Sequence, residues 1–436
     1  MRIDSREGQV TRREIVSEAS EVDQYSELTR NYLRSRPKEE RSPIGQFITP
    51  RKLREALVRE MQLESGMRVL DPGVGTGEFL ATCSEFADNL TLEGWDIDHK
   101  ASEVAKLLVP DAKIRVLSAL EQDWSEDFDV VIGNPPYFEM QKLESGLRSK
   151  FQDVIGGRPN IFSLFFMVGL GALKRGGRLG YVVPPSMNNG AFFAKLRKYI
   201  SETSSIEFLK VFDNSKLFVD AQTAVQLIVL KKGEPSEKFI LDLGKLGKTG
   251  VERKIFVESP KDYAQEFENR STLWNLGYEA NTGTLVWNQH KEDLRTSLEK
   301  NCVPLIWAHN ITEVREIQIN EGHPKKPQYV KSSSFLTGPA IIVNRITGGV
   351  GQGSLRCAIV PDGMKFLGEN HVNVIRKRKG FKQAVDWDQL LDLLRSPGIN
   401  SRIQKLTGNT QISCVELTHF VPLDFEILTH QSPTLF

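Results

Sequence analysis

From residue 45 to about residue 232, apolar runs alternate with stretches in which apolar positions recur at helical spacing. The runs Arg68–Asp71, Leu92–Asp98, Lys113–Ser118, Asp127–Asn134, Arg178–Pro184, Glu207–Asp213 and Thr223–Lys232 predict strands. Helical spacing predicts helices near 51–63, 77–87, 100–108, 160–174 and 190–202. Strands that alternate with helices imply a mostly parallel sheet covered on both faces, an α/β domain. After Lys232-Gly233-Glu234-Pro235 the alternation fades. Residues 236–436 give shorter pieces, with strands at Ala340–Asn344 and Val372–Ile375 and a helix near Trp387–Leu394, as in a mixed α+β domain. Residues 1–44 form a charged extension with some helix within 12–34, ending in the linker-like Arg36-Pro37-Lys38-Glu39-Glu40-Arg41-Ser42-Pro43. The organisation expected is therefore 1–44, 45–235 and 236–436.

Composition narrows the class. Hydrophobic content of 39% and charged content of 26% suit a soluble globular chain. No apolar run approaches the ~20 residues of a membrane span. The longest, Ile161–Leu173, stops at Lys174-Arg175-Gly176-Gly177 as a buried helix would. The N-terminus lacks the apolar stretch of a signal peptide. Cys83, Cys302, Cys357 and Cys414 are scattered without CxxC or Cys/His ligand spacing, which points to a reducing compartment and to no metal site. A cytoplasmic location is expected.

Net charge is +1, but it is unevenly spread. Between Arg315 and Lys382, twelve Lys/Arg face four Asp/Glu, a net +8, so the remainder carries −7. A basic segment in an otherwise mildly acidic protein is what a nucleic-acid-binding lobe looks like. Arg376, Lys377, Arg378 and Lys379 are its densest run.

Two loops carry candidate chemistry. The first strand runs into Asp71-Pro72-Gly73-Val74-Gly75-Thr76-Gly77, where glycines allow a tight turn and close approach to a ligand. The second strand ends in Gly94-Trp95-Asp96-Ile97-Asp98, where a carboxylate can accept ribose hydroxyls. A dinucleotide site shares both features. The G-x-G-x-G spacing and an acid at the loop mouth separate them, because Asp71 would repel a pyrophosphate but suits a cationic, amino-bearing ligand such as S-adenosylmethionine.

The strand Asp127–Asn134 stops at Asn134-Pro135-Pro136-Tyr137. Two prolines fix an extended, carbonyl-exposing backbone. The Asn134 amide and the Pro135 carbonyl can then accept both hydrogens of a planar exocyclic amine while Tyr137 stacks on its ring. Accepting those hydrogens makes the amine nitrogen more nucleophilic, so no strong general base is needed.

In this order the motifs resemble the gamma class of amino-group DNA methyltransferases, the TaqI-like adenine-N6 enzymes of restriction–modification systems. Gly45-Gln46-Phe47-Ile48-Thr49-Pro50 is similar to the segment that closes over the cofactor's methionine end in that class, and Asn134 to Tyr137 to its catalytic tetrapeptide. Asn160-Ile161-Phe162, Gly177–Pro184 and Thr223–Leu230 resemble later motifs, and Thr282–Asn288, Asn344–Gly349 and Gly368–Val374 resemble parts of the target-recognition domain. The resemblance implies a Rossmann-like class I methyltransferase domain, a mostly parallel seven-stranded sheet with an antiparallel last strand, followed by a C-terminal target-recognition domain. It implies S-adenosylmethionine bound by Phe47, Thr49, Pro50, Asp71, Pro72, Gly73, Gly75, Gly77, Asp96, Ile97, Ser118 and Leu120, and Phe218 as the aromatic wall opposite Tyr137. The substrate implied is double-stranded DNA, with a cognate restriction endonuclease acting separately and the methyltransferase working as a monomer. Arg345 and Arg356 are candidates for reading guanine.

The third strand departs from the class. Where an acid usually meets the cofactor adenine, this chain has Ser118 and Ala119; Ser118 substitutes, or Glu121 or Asp123 reaches in, or the bond is absent. Two rival functions share part of the pattern. An RNA-guanine or protein-glutamine methyltransferase uses the same tetrapeptide but lacks a segment like 45–50 and a long C-terminal half. A catalytically dead DNA-binding homologue would fit Ala119 but not the intact Asp71, Asp96 and tetrapeptide. Methyl transfer of this kind needs no imidazole, so His371 reads as structural.

Overall fold

In a computed structural model, residues 24–41, 45–140, 143–156, 160–212, 224–246, 251–323, 325–345, 354–407 and 412–426 are described. The chain divides into two compact units, Met1–Glu258 and Ser259–Phe436.

The first unit is built on seven strands: β1 (Arg68–Asp71), β2 (Thr91–Asp96), β3 (Lys113–Val116), β4 (Phe128–Gly133), β5 (Leu173–Val183), β6 (Ser204–Phe212) and β7 (Val225–Lys232). Their order is β3-β2-β1-β4-β5-β7-β6. The pairs from β3 to β5 are parallel, and β7 runs antiparallel to both β5 and β6. This is a doubly wound, Rossmann-like sheet, mostly parallel with an antiparallel last strand, as expected. Strand order reverses between β1 and β4, and a crevice opens there at the carboxyl ends of the strands.

Burial explains why these segments form strands. Val69, Leu70, Val131 and Ile132 are buried, as a strand with helices on both faces requires. One face packs Phe162, Leu164 and Phe166 of the helix Ile161–Ala172, which is apolar all round and therefore buried. The other face packs Leu53 and Leu57 of the helix Arg51–Glu60 and Leu80 of the helix Glu78–Ser84.

Three differences from the sequence reading have local causes. The helix at 161 ends at Ala172, because Leu173 is already extended (φ −75°, ψ 142°) and β5 begins there. The unit boundary falls after Glu258 instead of after residue 235. The strands β8 (Ile240–Leu246) and β9 (Val251–Phe256) belong to the first unit, held by Arg197 Nε donating to Lys254 O (2.8 Å) and by Lys210 to Glu258 (2.8 Å). Residues 24–41 are likewise not a separate linker but part of the first unit, with helices Glu27–Ser35 and Lys38–Arg41.

The second unit holds β10 (Tyr278–Thr282), β11 (Leu294–Arg295), β12 (Cys302–Ile306), β13 (Tyr329–Lys331), β14 (Leu336–Thr337), β15 (Ala340–Asn344), β16 (Cys357–Val360), β17 (Lys365–Gly368) and β18 (Val372–Lys377). They form a four-stranded sheet, β10-β18-β15-β16, and a five-stranded one, β11-β13-β12-β17-β14. The helix Trp387–Leu394 buries Leu390, Leu391 and Leu394, and Asp386 caps it by accepting from Gln389 N at 2.8 Å. The unit is mixed α+β. Among the described residues, no helix is long and apolar enough to cross a membrane.

Candidate active site

A cavity of ≈ 230 Å³ opens at the carboxyl ends of β1, β2 and β4. It is walled by the segment 45–49, the glycine loop 71–76, Asp96 to Asp98, residues 117–120, and Asn134, Pro136 and Phe138 with Ile161 and Phe165.

Asp71 closes β1 and is 1% exposed. Its Oδ1 accepts from Gly73 N at 3.0 Å, and among the described residues no cation pairs with it. Burial pushes this carboxyl up to about 8, with a push from the nearby Asp96 charge and the Gly73 N–H opposing. Gly133, at the end of β4, leaves the space this side chain occupies: a Cβ there would stand 2.6 Å from Asp71 Oδ1. Asp96 organises the next loop, accepting from Gly75 N on Oδ2 and from Asp98 N on Oδ1, each at 2.8 Å. Gly77 turns the loop into the helix with φ +88° and packs so closely that a Cβ would lie 3.1 Å from Ala105 Cα.

Asn134 follows β4. Its Nδ2 donates to Phe47 O at 2.8 Å, which fixes the orientation of the amide. The Tyr137 hydroxyl lies against Asn134 Oδ1 and also 2.7 Å from Val182 O, so its single proton serves one acceptor at a time. The Tyr137 ring is nearly parallel to Phe47 (20°, centroids 6.1 Å apart) and edge-on to Phe162. The two segments touch directly at Gly45, whose φ is +67° and whose Cβ would meet Tyr137 N at 2.7 Å. Among the described residues, the buried Thr49 Oγ1 has no hydrogen-bond partner.

The structure thus gathers most of the residues read from sequence. Phe47, Thr49, Asp71, Pro72, Gly73, Gly75, Asp96, Ile97, Ser118, Leu120, Asn134 and Pro136 line the cavity. Pro50 and Gly77 stand behind it as the caps of two helices, and Pro135 and Tyr137 are also outside its lining. Glu121 and Asp123 do not line it, which leaves Ser118 as the polar side chain of that wall. Phe218 lies outside the described residues. Sequence reading missed Asp98, Phe138 and Phe165, for which no motif signalled a role, and the buried ion pair Arg54–Glu78 (2.6 Å) beneath the glycine loop.

Over this framework, residues 82–218 match the family of Eco57I restriction-modification methylases. The matched residues include Asp96 and Asn134 to Tyr137, and over them the chain is similar to that family of methylases. It is 24% identical to the modification methylase CviBIII of Paramecium bursaria Chlorella virus NC1A over 92% of this chain and 99% of that one. It is 28% identical to the type II methyltransferase M.CvrRI of Paramecium bursaria Chlorella virus XZ-6E, over 78% of this chain and 84% of that protein. Among solved structures it is similar to the methyltransferase subunit of a type I restriction-modification system from Streptococcus thermophilus, with 18% identity, TM-score 0.40, and 51% and 53% of the two chains covered.

In the second unit, the described basic residues singled out from sequence fall in two places. Arg345 and Arg356 flank the β15–β16 pair at one end of the four-stranded sheet, where Asn344 is also in register with Val372 of β18. Arg376 and Lys377 lie at the far end of β18, about 13 Å along the strand at ~3.3 Å per residue. Arg376, Lys377, Lys379 and Arg356 are exposed. Arg378 is not available to a partner: it is buried between the rings of Trp274 and Phe381 and donates to Trp274 O at 2.8 Å. This corrects its reading as a DNA contact. His371 is held by the buried Glu369 carboxylate, 2.8 Å from its Nδ1.

Proposed function

We propose that this chain is a site-specific DNA methyltransferase that moves the methyl group of S-adenosylmethionine to the N6 amino group of an adenine flipped out of duplex DNA. The observation that carries the reading is Asn134. Its amide is tethered through Nδ2, so Oδ1 is left as the acceptor at the rim of a cavity that is also lined by Asp71 and Asp96.

The cavity fits the methyl donor. Among the described residues, Asp71 is a buried carboxyl without a cation, suited to the ligand's ammonium group, and Thr49 Oγ1 is a buried hydroxyl without a partner. Asp96 has both oxygens engaged by the backbone, which orients their remaining lone pairs for ribose hydroxyls. Ile97, 72% exposed, and Leu120 offer apolar faces to an adenine ring, and Ser118 offers a hydrogen bond. When bound, S-adenosylmethionine supplies an electrophilic methyl group. The chain's own contribution is positioning and exclusion of water.

Asn134 Oδ1 and the Pro135 carbonyl accept the two hydrogens of the target amine and draw lone-pair density onto its nitrogen. The incoming amine competes with the Tyr137 hydroxyl for Oδ1. Val182 O gives that hydroxyl an alternative acceptor, so releasing Oδ1 leaves no buried donor unpaired. The Tyr137 ring then stacks on the base, worth ~1–3 kcal/mol, with Phe218 as the opposite wall. A base inside a duplex reaches such a pocket only by rotating out of the stack. The second unit supplies the target-recognition surface, in which Arg345, Arg356, Arg376, Lys377 and Lys379 contact DNA. The matched family is one of restriction-modification methylases, and on this reading the chain is the modification partner of a separately acting nuclease.

Tritiated methyl from S-adenosylmethionine tests the reading. Label should enter duplex DNA as N6-methyladenine, and Asn134→Ala should abolish transfer while still binding the cofactor. Label confined to RNA or protein would refute it.

A further inference from the structure

Residues 24–36 contact three walls of the cavity. The helix Glu27–Ser35 starts at Ser26, whose Oγ accepts from Thr29 N, and it buries Thr29 and Tyr32. Toward the glycine loop, Ser26 N donates to Glu78 Oε1 (2.8 Å) and Thr29 Oγ1 bonds Thr76 Oγ1 (2.9 Å). Toward the segment 45–49, the Tyr25 hydroxyl donates to Ile48 O (3.2 Å), and Arg54 ties Gln24 O to the same segment through Thr49 O. Toward the second-strand loop, Arg36 pairs with Asp98 Oδ2, and the Tyr32 hydroxyl lies 3.1 Å from that oxygen and 2.9 Å from Gln46 Oε1.

Asp98 is where these contacts converge. Its Oδ1 caps the helix His99–Leu108 by accepting from Lys100 N (3.0 Å) and Ala101 N (3.3 Å). Its backbone N–H holds Asp96 Oδ1. Asp98 and Asp96 are like charges two residues apart, and the Arg36 cation cancels the one that does not face the ribose position. Burial opposes ionisation of Asp98, yet the backbone and Arg36 together hold its carboxyl below the ordinary value.

We propose that residues 24–36 are a strap that sets the shape of the cofactor cleft, with Tyr32 and Arg36 as positioning residues that act through Gln46 and Asp98. This rests on the reading of the cavity as the S-adenosylmethionine site. The strap does not touch Asn134 in any contact described above, so its loss should weaken cofactor binding more than the later steps.

The test is calorimetric titration of the full chain with S-adenosylmethionine, for wild type, Tyr32→Phe, Arg36→Met and the double variant. The double variant should raise Kd about tenfold, as loss of a charge-assisted contact does. At saturating cofactor its kcat and its affinity for DNA should stay within about twofold of wild type, and Arg36→Lys should recover part of the loss. By reciprocity, saturating S-adenosylmethionine should slow tryptic cleavage at Arg34 and Lys38 in the wild type and do so less in Tyr32→Phe. A wild type that binds no S-adenosylmethionine overturns the cofactor reading and this inference with it. A wild type that binds it while the double variant binds equally well overturns the strap alone, as does an equal loss of cofactor and DNA affinity.

Discussion

Gly133→Ala isolates a single contact between the two halves of the site. The new methyl group would lie 2.6 Å from Asp71 Oδ1 and 3.3 Å from its Cγ, where ordinary contact begins near 3.4 Å, an overlap of about 0.8 Å. Neither backbone can yield easily, because β4 is paired with β1 through Val69↔Val130 and Leu70↔Val131 and with β5 through Gly133↔Tyr181. The carboxyl must therefore turn and give up the Gly73 N–H. Overpacking a rigid core costs ~1–3 kcal/mol, and a buried polar group left unpaired costs ~1–3 kcal/mol. If about 2 kcal/mol of this falls on cofactor binding, Kd for S-adenosylmethionine rises about 30-fold. Calorimetric titration reads this directly. The control is Gly146→Ala, an exposed helical position at which a Cβ meets nothing within 4 Å. That variant should bind the cofactor as the wild type does. A Gly133→Ala protein that binds within threefold of wild type would refute the argument, as would a Gly146→Ala protein equally impaired.

The raised value of about 8 for Asp71 gives a second prediction. A cationic ligand requires the ionised form, so affinity for S-adenosylmethionine should strengthen by up to about tenfold per unit between pH 6 and 7.5, and Asp71→Asn should bind weakly with a flat profile. Without ligand the sign reverses for stability. The folded state favours the protonated carboxyl, so this contribution is whole below the ordinary carboxylate range and is lost as pH rises through about 8. Thermal melts of wild type should therefore fall relative to Asp71→Asn across that window, and parallel melting curves would contradict it. In the second unit, replacing Arg376, Lys377 and Lys379 by Gln should lower the salt slope of DNA binding by up to about 3, at ~0.9 per phosphate contact. Arg378→Gln should instead lower the melting temperature by removing the cation between Trp274 and Phe381. An unchanged salt slope would remove the three exposed cations from the interface.

The sheet was legible because β1 and β4 carry short apolar runs, Val69-Leu70 and Val130–Ile132, followed closely by residues too polar or too constrained to continue a strand. Asp71, Asp96 and Asn134 were legible for the same reason, since each closes or immediately follows such a run. The strap was not. A charged, amphipathic stretch such as Glu27–Ser35 reads the same whether its apolar side covers solvent-exposed linker or a protein wall, and the buried Thr29 and Tyr32 carry no motif. The Arg54–Glu78 pair was hidden similarly, because surface helices abound in such residues and only the fold brings these two inside. The run Arg376 to Lys379 shows the converse: four adjacent cations look equivalent in sequence, yet the turn after β18 sends Arg378 inward between two rings.

The hydrogen bond from Asn134 Nδ2 to Phe47 O joins two parts of the site to one support. Phe47 belongs to the wall 45–49 of the cleft, and Gly45 of the same wall is packed against Tyr137 N. On the proposed reading, the segment that covers the methyl donor is also the one that holds the amide meant for the target amine.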